Sequence, residues 1–80
     1  MEGSLDVRIF PTRSMMRIHS PYEGRFVLHL FDISGRERGT VKGMLRQGEN
    51  EIKLQLLPRG VYFYRLKVGE WNRMGKVVMF

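Results

Sequence analysis

Apolar and polar side chains alternate along most of the chain, and clusters of turn-forming residues separate the alternating runs. In the longest run, residues 25–33, the side chains of Phe26, Leu28 and Leu30 would lie on one face of a strand. No window of the sequence keeps the period of about 3.6 residues that a helix requires. The alternation therefore predicts an all-β domain.

Runs and turns taken together predict about seven strands, with turn signals at spacings of about 8–12 residues. The strands are expected at residues 6–10, 14–19, 25–33, 37–45, 51–56, 62–68 and 71–80. The fourth run contains Gly39 and Gly43, which predict a bulge or a place at a sheet edge. Residues 47–50 and 69–70 are expected to be turns. This pattern is typical of an antiparallel β-sandwich.

Residues 57–62 read Leu-Pro-Arg-Gly-Val-Tyr and lead into the sixth strand. Pro58 restricts φ and Gly60 permits a tight turn, so the Tyr62 hydroxyl is expected to bond to upstream backbone. Such a tyrosine corner fixes the entry to a late strand in Greek-key sandwiches. Leu57, Gly60 and Tyr62 are therefore predicted to form a structural corner.

The length and composition indicate one domain of 80 residues without cysteine. Packing alone must stabilise such a domain, because it has no disulfide or zinc–thiolate site. Residues 1–4 are interpreted as a linker or a cloning remnant, and residues 5–80 as a single domain. No segment approaches the roughly 18 apolar residues of a membrane-spanning helix. The domain is therefore not expected to span a membrane.

The chain has 14 basic and 8 acidic residues, a net charge of +6. Such a charge permits binding to nucleic acid, anionic lipid or acidic glycan. The basic residues are scattered singly from Arg8 to Lys76, without a basic run and without an aromatic pair set among them as in an RNA-binding sheet. We therefore expect no nucleic-acid partner, and interpret the charge as solvated sheet surface or as attraction to an anionic cell surface.

No set of residues in the sequence indicates catalysis. Asp32 and Ser34 lie in a turn-forming segment, and no serine follows a strand-to-helix elbow. His19 and His29 are the only histidines, and no carboxylate stands at metal-ligand spacing from them. We expect no enzymatic activity, no metal and no cofactor.

Only one group of residues in the sequence suggests a ligand-binding site. It consists of Trp71 and the neighbouring aromatic residues Tyr62, Phe63 and Tyr64. On one interpretation they stack on sugar rings. On the other, Tyr62 and Tyr64 belong to the core and Trp71 caps the last hairpin. The methionines, most of them near strand ends, are expected to fill gaps in the core.

Several segments together resemble the type A C-terminal sorting domain of the type IX secretion system, found in Bacteroidetes and related bacteria. The resemblance covers residues 7–80. Its most specific parts are Leu-Phe-Asp-Ile-Ser-Gly-Arg at residues 30–36 and Leu-x-x-Gly-x-Tyr at residues 57–62. Ile-Phe-Pro at 9–11, Gly-Glu-Asn-Glu-Ile at 48–52 and Gly-Lys-Val-Val at 75–78 complete the order.

The resemblance implies an Ig-like, fibronectin type III-like sandwich that serves as an address and has no catalytic role. The outer-membrane secretion machinery would read the domain, and a sortase-like peptidase would separate it from N-terminal cargo domains. The cargo would pass through the periplasm and outer membrane to the medium or the cell surface, attached there to anionic lipopolysaccharide. The positions that match the family are Asp32, Gly35 and Arg36 in the central turn, Gly60 and Tyr62 at the corner, and Lys76, Val77 and Val78 in the last strand.

Two other functions are compatible with the same sequence. One is an accessory sandwich that binds glycan or a cell-surface polymer through Trp71. The other is a structural module whose edge strands pair into oligomers.

Overall fold

The computed structural model describes residues 5–10, 14–54 and 58–79. Within these ranges the chain forms seven strands and no helix. The strands are β1 (Asp6–Phe10), β2 (Met15–Ser20), β3 (Gly24–Asp32), β4 (Glu37–Leu45), β5 (Gly48–Lys53), β6 (Gly60–Val68) and β7 (Trp71–Met79).

The strands pair into two antiparallel sheets. One has the order β1-β2-β5 and the other the order β4-β3-β6-β7. In Ig-like sandwiches the first, second and fifth strands share a sheet, and the third, sixth and seventh share the other. Here β4 extends the second sheet beside β3. The fold is thus the Ig-like, fibronectin type III-like β-sandwich that was expected.

The core lies between the sheets and follows the alternation of the sequence. The central strands β3 and β6 contribute seven of its fifteen buried apolar side chains, more than any other pair of strands. Their buried members are Phe26, Leu28, Leu30, Tyr62, Tyr64, Leu66 and Val68. Met16, Ile18 and Ile52 cover them from the three-stranded sheet, together with Leu54 directly after β5. Leu56 and Leu57 lie outside the described residues.

Both expectations for the glycine-containing strand are confirmed. β4 is an edge strand, and its pairing with β3 shifts between Leu30, opposite Gly39, and Phe31, opposite Glu37. Arg38 is therefore an extra residue in β4 and forms a bulge. Packing explains why residue 43 is glycine, because a Cβ there would lie 2.9 Å from the Phe26 ring.

The prediction of a turn over residues 47–50 is wrong at its end, since β5 already begins at Gly48. The Asn50 side chain accepts from the Arg46 amide at 2.9 Å and donates to the Arg46 carbonyl at 2.9 Å. These bonds close the turn early, so pairing with β2 begins at Gly48, opposite Ser20. The turn at 69–70 is confirmed, with Gly69 at φ +60° between β6 and β7.

The methionines divide between the core and the surface. Met16 and Met79 are buried, whereas Met44 and Met74 are 62% and 69% exposed. Met44 and Met74 occupy outward positions of β4 and β7, where they pair with Arg25 and Arg65. The expectation that methionines fill the core is therefore wrong for these two.

Candidate functional site

Three segments that are far apart in the sequence meet at one end of the four-stranded sheet. Asp32 in β3 is opposite Tyr62 in β6, and Tyr62 is opposite Val77 in β7. Val61 and Val78 form the next pair. We call this region the motif end and define it as residues 32–36, 58–62 and 76–78. It contains the matching positions of the central turn, the corner and the last strand, whereas the matching residues 9–10 and 48–52 lie in the three-stranded sheet.

The turn at the motif end is closed by the Asp32 carboxylate. Its Oδ1 accepts hydrogen bonds from the Ser34 hydroxyl at 2.6 Å, from the Ser34 amide at 3.0 Å and from the Arg36 amide at 3.0 Å. The Asp32 amide donates to the Arg36 carbonyl, and the Gly35 amide donates to the Asp32 carbonyl. Gly35 has φ +86°, which favours glycine. The turn therefore has one defined backbone conformation.

These bonds also set the charge of the carboxyl group. The Ser34 hydroxyl, with smaller contributions from the Arg36 and Ser34 amides and the Arg36 charge, lowers the pKa of Asp32 below its ordinary value of 3.8. Partial burial opposes this effect. Asp32 is thus ionised at neutral pH, and Arg38 lies 3.7 Å from its Oδ2. Asp32 and Ser34 serve the turn, as the sequence indicates.

The tyrosine corner adjoins this turn. The Tyr62 hydroxyl donates to the Pro58 carbonyl at 2.6 Å, which is the upstream backbone bond predicted from the sequence. Gly60 has φ +152°, and the Tyr62 ring is buried. Leu57, the first residue of the predicted corner, lies outside the described residues.

The last strand contributes one core residue and two surface residues to the motif end. Val77 is buried, whereas Val78 is 36% exposed and Lys76 is exposed beside Phe63. This alternation follows from the period of two in a strand. Lys76 and Val78 are therefore available to a partner, and Val77 anchors β7 to the core.

Two further surface residues were not singled out from the sequence. Ile33 at the turn is 76% exposed, and Val61 beside Val78 is 38% exposed. Ile33 and Val61 also line a shallow depression with Arg59. The sequence does contain a signal for the exposure of Ile33, because an apolar residue stands there within a turn-forming segment. The motif end thus presents both apolar and cationic groups at the surface.

The aromatic constellation does not share one surface. Tyr62 and Tyr64 are buried, Phe63 points outward and is 43% exposed, and Trp71 is partly buried against the core. The Tyr62 and Tyr64 rings are thus part of the core, as one of the two interpretations has it. No observation favours a sugar-stacking surface around Trp71.

The two histidines lie on the outer faces of different sheets. His19 Nδ1 is 3.0 Å from Glu49, and His29 Nδ1 is 3.5 Å from Glu37. Within the ranges that the structure describes, no group of three or more metal-ligating side chains comes together. The same ranges contain no helix with the length and apolar character needed to cross a membrane.

No protein-family model matches the chain, and no curated protein matches it. A function for the domain must therefore be inferred from its geometry and from the resemblance of its segments.

Proposed function

We propose that this domain is a non-catalytic sorting domain that directs a larger protein through the type IX secretion system to the cell surface or the medium. The observation that supports the proposal most directly is the convergence of three matching segments, those of the central turn, the corner and the last strand, at the motif end. Asp32, Tyr62 and Val77 are cross-strand neighbours although they are distant in sequence. Segments that serve one recognition event are expected to share one surface.

The motif end also has the rigidity that recognition of a folded address requires. The Asp32 turn is closed by three side-chain acceptor bonds, and the corner is closed by the bond from Tyr62 to Pro58. A backbone that is already ordered loses less conformational entropy when the domain is bound. The exposed groups beside these turns, among them Ile33 and Lys76, would provide the contacts.

In this proposal the domain acts only by being bound. The outer-membrane secretion machinery recognises the motif end, and a sortase-like peptidase removes the domain from N-terminal cargo domains. The cargo is then released or attached to anionic lipopolysaccharide.

A secretion assay in a bacterium with the type IX pathway tests the proposal. A reporter with a signal peptide is fused upstream of residues 5–80, and Arg36→Ala is combined with Lys76→Ala. Both side chains are exposed, and Arg36 joins the hydrogen bonds of the turn through its backbone alone. The double variant should fold normally and leave most of the reporter in the periplasm.

The matched control combines Arg8→Ala with Lys53→Ala on the opposite sheet, which removes the same charge. This control should be secreted like the wild type. Retention of the wild-type fusion in the periplasm, with the domain folded, would overturn the sorting function. Equal secretion by all three fusions would show that the motif end is not the recognised surface.

A further inference from the structure

The outward face of the four-stranded sheet carries most of the net charge of the domain. Each strand alternates buried with outward residues. Among the described residues this places five basic side chains and the Glu37 carboxylate on the outward face, a side-chain charge of +4 compared with +6 for the whole chain. The basic residues are Arg25, Lys42, Arg65, Lys67 and Lys76. Among the described residues, none of these five forms an ion pair.

Exposed apolar side chains lie among these cations. Phe63 is opposite Lys76, and Met74 is opposite Arg65; they are 43% and 69% exposed. Met44, at 62% exposure, is opposite Arg25 at the other end of the face. The surface therefore combines uncompensated positive charge with apolar groups in contact with water, an arrangement that marks interaction sites.

We propose that this outward face docks on the headgroups of an anionic lipid bilayer. Each Lys or Arg near such a surface strengthens binding by roughly fivefold. Aromatic and aliphatic side chains beside basic residues enter the boundary between headgroups and acyl chains. Phe63 and Met74 fit that role, and Lys67 and Lys76 lie beside them to contact lipid phosphates.

Single-stranded nucleic acid fits the same face less well. Phe31 and Phe63 are cross-strand neighbours, an aromatic pair that the sequence separates widely. The Arg65 guanidinium lies over the Phe31 ring at 5.9 Å, and His29 stacks on that ring at 6.1 Å. Of the described aromatic side chains on this face, Phe63 alone is left open for a base, and the exposed thioether of Met74 has no stacking role.

The inference does not depend on the sorting function, and it is tested with the purified 80-residue chain. Sedimentation is measured with vesicles of phosphatidylcholine containing about one third phosphatidylglycerol, and with phosphatidylcholine alone, at about 0.1 M salt. The wild type should bind the anionic vesicles only. Lys67→Gln combined with Lys76→Gln should weaken this binding by roughly tenfold or more.

The matched control removes the same charge from the other sheet, by Arg8→Gln and Lys53→Gln. Because that face is more than a Debye length of about 10 Å from the bilayer, affinity should stay within about twofold of wild type. Equal weakening by both double variants would mean that only net charge matters, and would overturn the assignment to this face.

The apolar part of the proposal has its own variant, Phe63→Ser combined with Met74→Ser. Both side chains are exposed, so melting followed by circular dichroism should stay close to wild type. Vesicle binding should weaken, and the loss should persist at high salt because it is not electrostatic. Unchanged binding would overturn the insertion of these side chains. Absence of wild-type binding to anionic vesicles, or a preference for polyuridylate over them, would overturn the proposal as a whole.

Discussion

The outer faces of the two sheets have the same alternation but different electrostatic character, since one is balanced in charge and the other is positive. On the three-stranded sheet, Arg17 lies 3.0 Å from Glu51 and 3.8 Å from Glu49, and Arg8 lies 3.7 Å from Asp6. Acidic and basic side chains there balance. The described outer face of the four-stranded sheet has five basic side chains and one carboxylate, that of Glu37. This carboxylate contacts His29.

The difference shows that cross-strand neighbours decide what a polar face can do. β2 and β5 bring arginine opposite glutamate, as in the pair Arg17–Glu51, so the charges satisfy one another. β6 and β7 bring basic residues opposite Phe63 and Met74, so the positive field remains available to an anionic partner. A protein with a net charge of +6 can therefore concentrate that charge on one side.

The largest change in stability is expected from a substitution on the inner side of the four-stranded sheet, beneath its positive outer face. A Cβ at Gly75 would lie 2.5 Å from Cε2 of the buried Tyr64 ring. Gly75→Ala should therefore lower the free energy of unfolding by about 1–3 kcal/mol, measured by urea denaturation. Met74→Ala, at the exposed neighbouring position, should change it by less than about 0.5 kcal/mol. Equal stability of wild type and Gly75→Ala would mean that Tyr64 repacks freely.

The second-largest loss of stability is expected at the tyrosine corner, which supports the motif end. Tyr62→Phe removes the donor to the Pro58 carbonyl and should cost about 1 kcal/mol. Thermal melting measures this cost. Tyr22→Phe is the matched control, because Tyr22 is 41% exposed. A melting curve unchanged by Tyr62→Phe would remove the claim that the tyrosine corner stabilises the domain.

A smaller change in stability compares the charges on the two outer faces directly. Glu51→Gln breaks the closest ion pair of Arg17 and should destabilise the domain by up to about 1 kcal/mol, less at high salt. Lys76→Gln removes a charge with no ion-pair partner among the described residues, and should be neutral or slightly stabilising. Denaturation at low and high salt compares them. Identical losses would contradict the electrostatic difference between the faces.

The smallest effect is a dependence of stability on pH. Because the folded state lowers the pKa of Asp32, its carboxylate contributes fully above the unfolded value near 3.8 and loses that contribution as pH falls through the folded pKa. The melting temperature of the wild type should fall more steeply than that of Asp32→Asn between about pH 5 and pH 3. Glu37, whose pKa is also lowered, is present in both proteins. Parallel curves would contradict the ionised turn.

The strands and their inner faces were predictable from the chain because each depends on neighbouring residues. Leu28, Leu30 and Leu66 are fully buried where the alternation indicates. The bond from Tyr62 to Pro58 was predictable for the same reason, since its partners are close in sequence. The early start of β5 was missed because the Asn50 side chain, which closes that turn, has no distinct signature in the alternation.

The sequence by itself thus determined the strands, their buried and exposed sides and the local turns, because a strand presents alternate residues to opposite faces whatever it pairs with. Only the tertiary structure decided which strands lie side by side, since that choice depends on packing two sheets over one core. It placed Asp32, Tyr62 and Val77 in one row, and it set Phe31 opposite Phe63. The pairing of charges on one face and their accumulation on the other also follow from strand order, which local alternation does not contain.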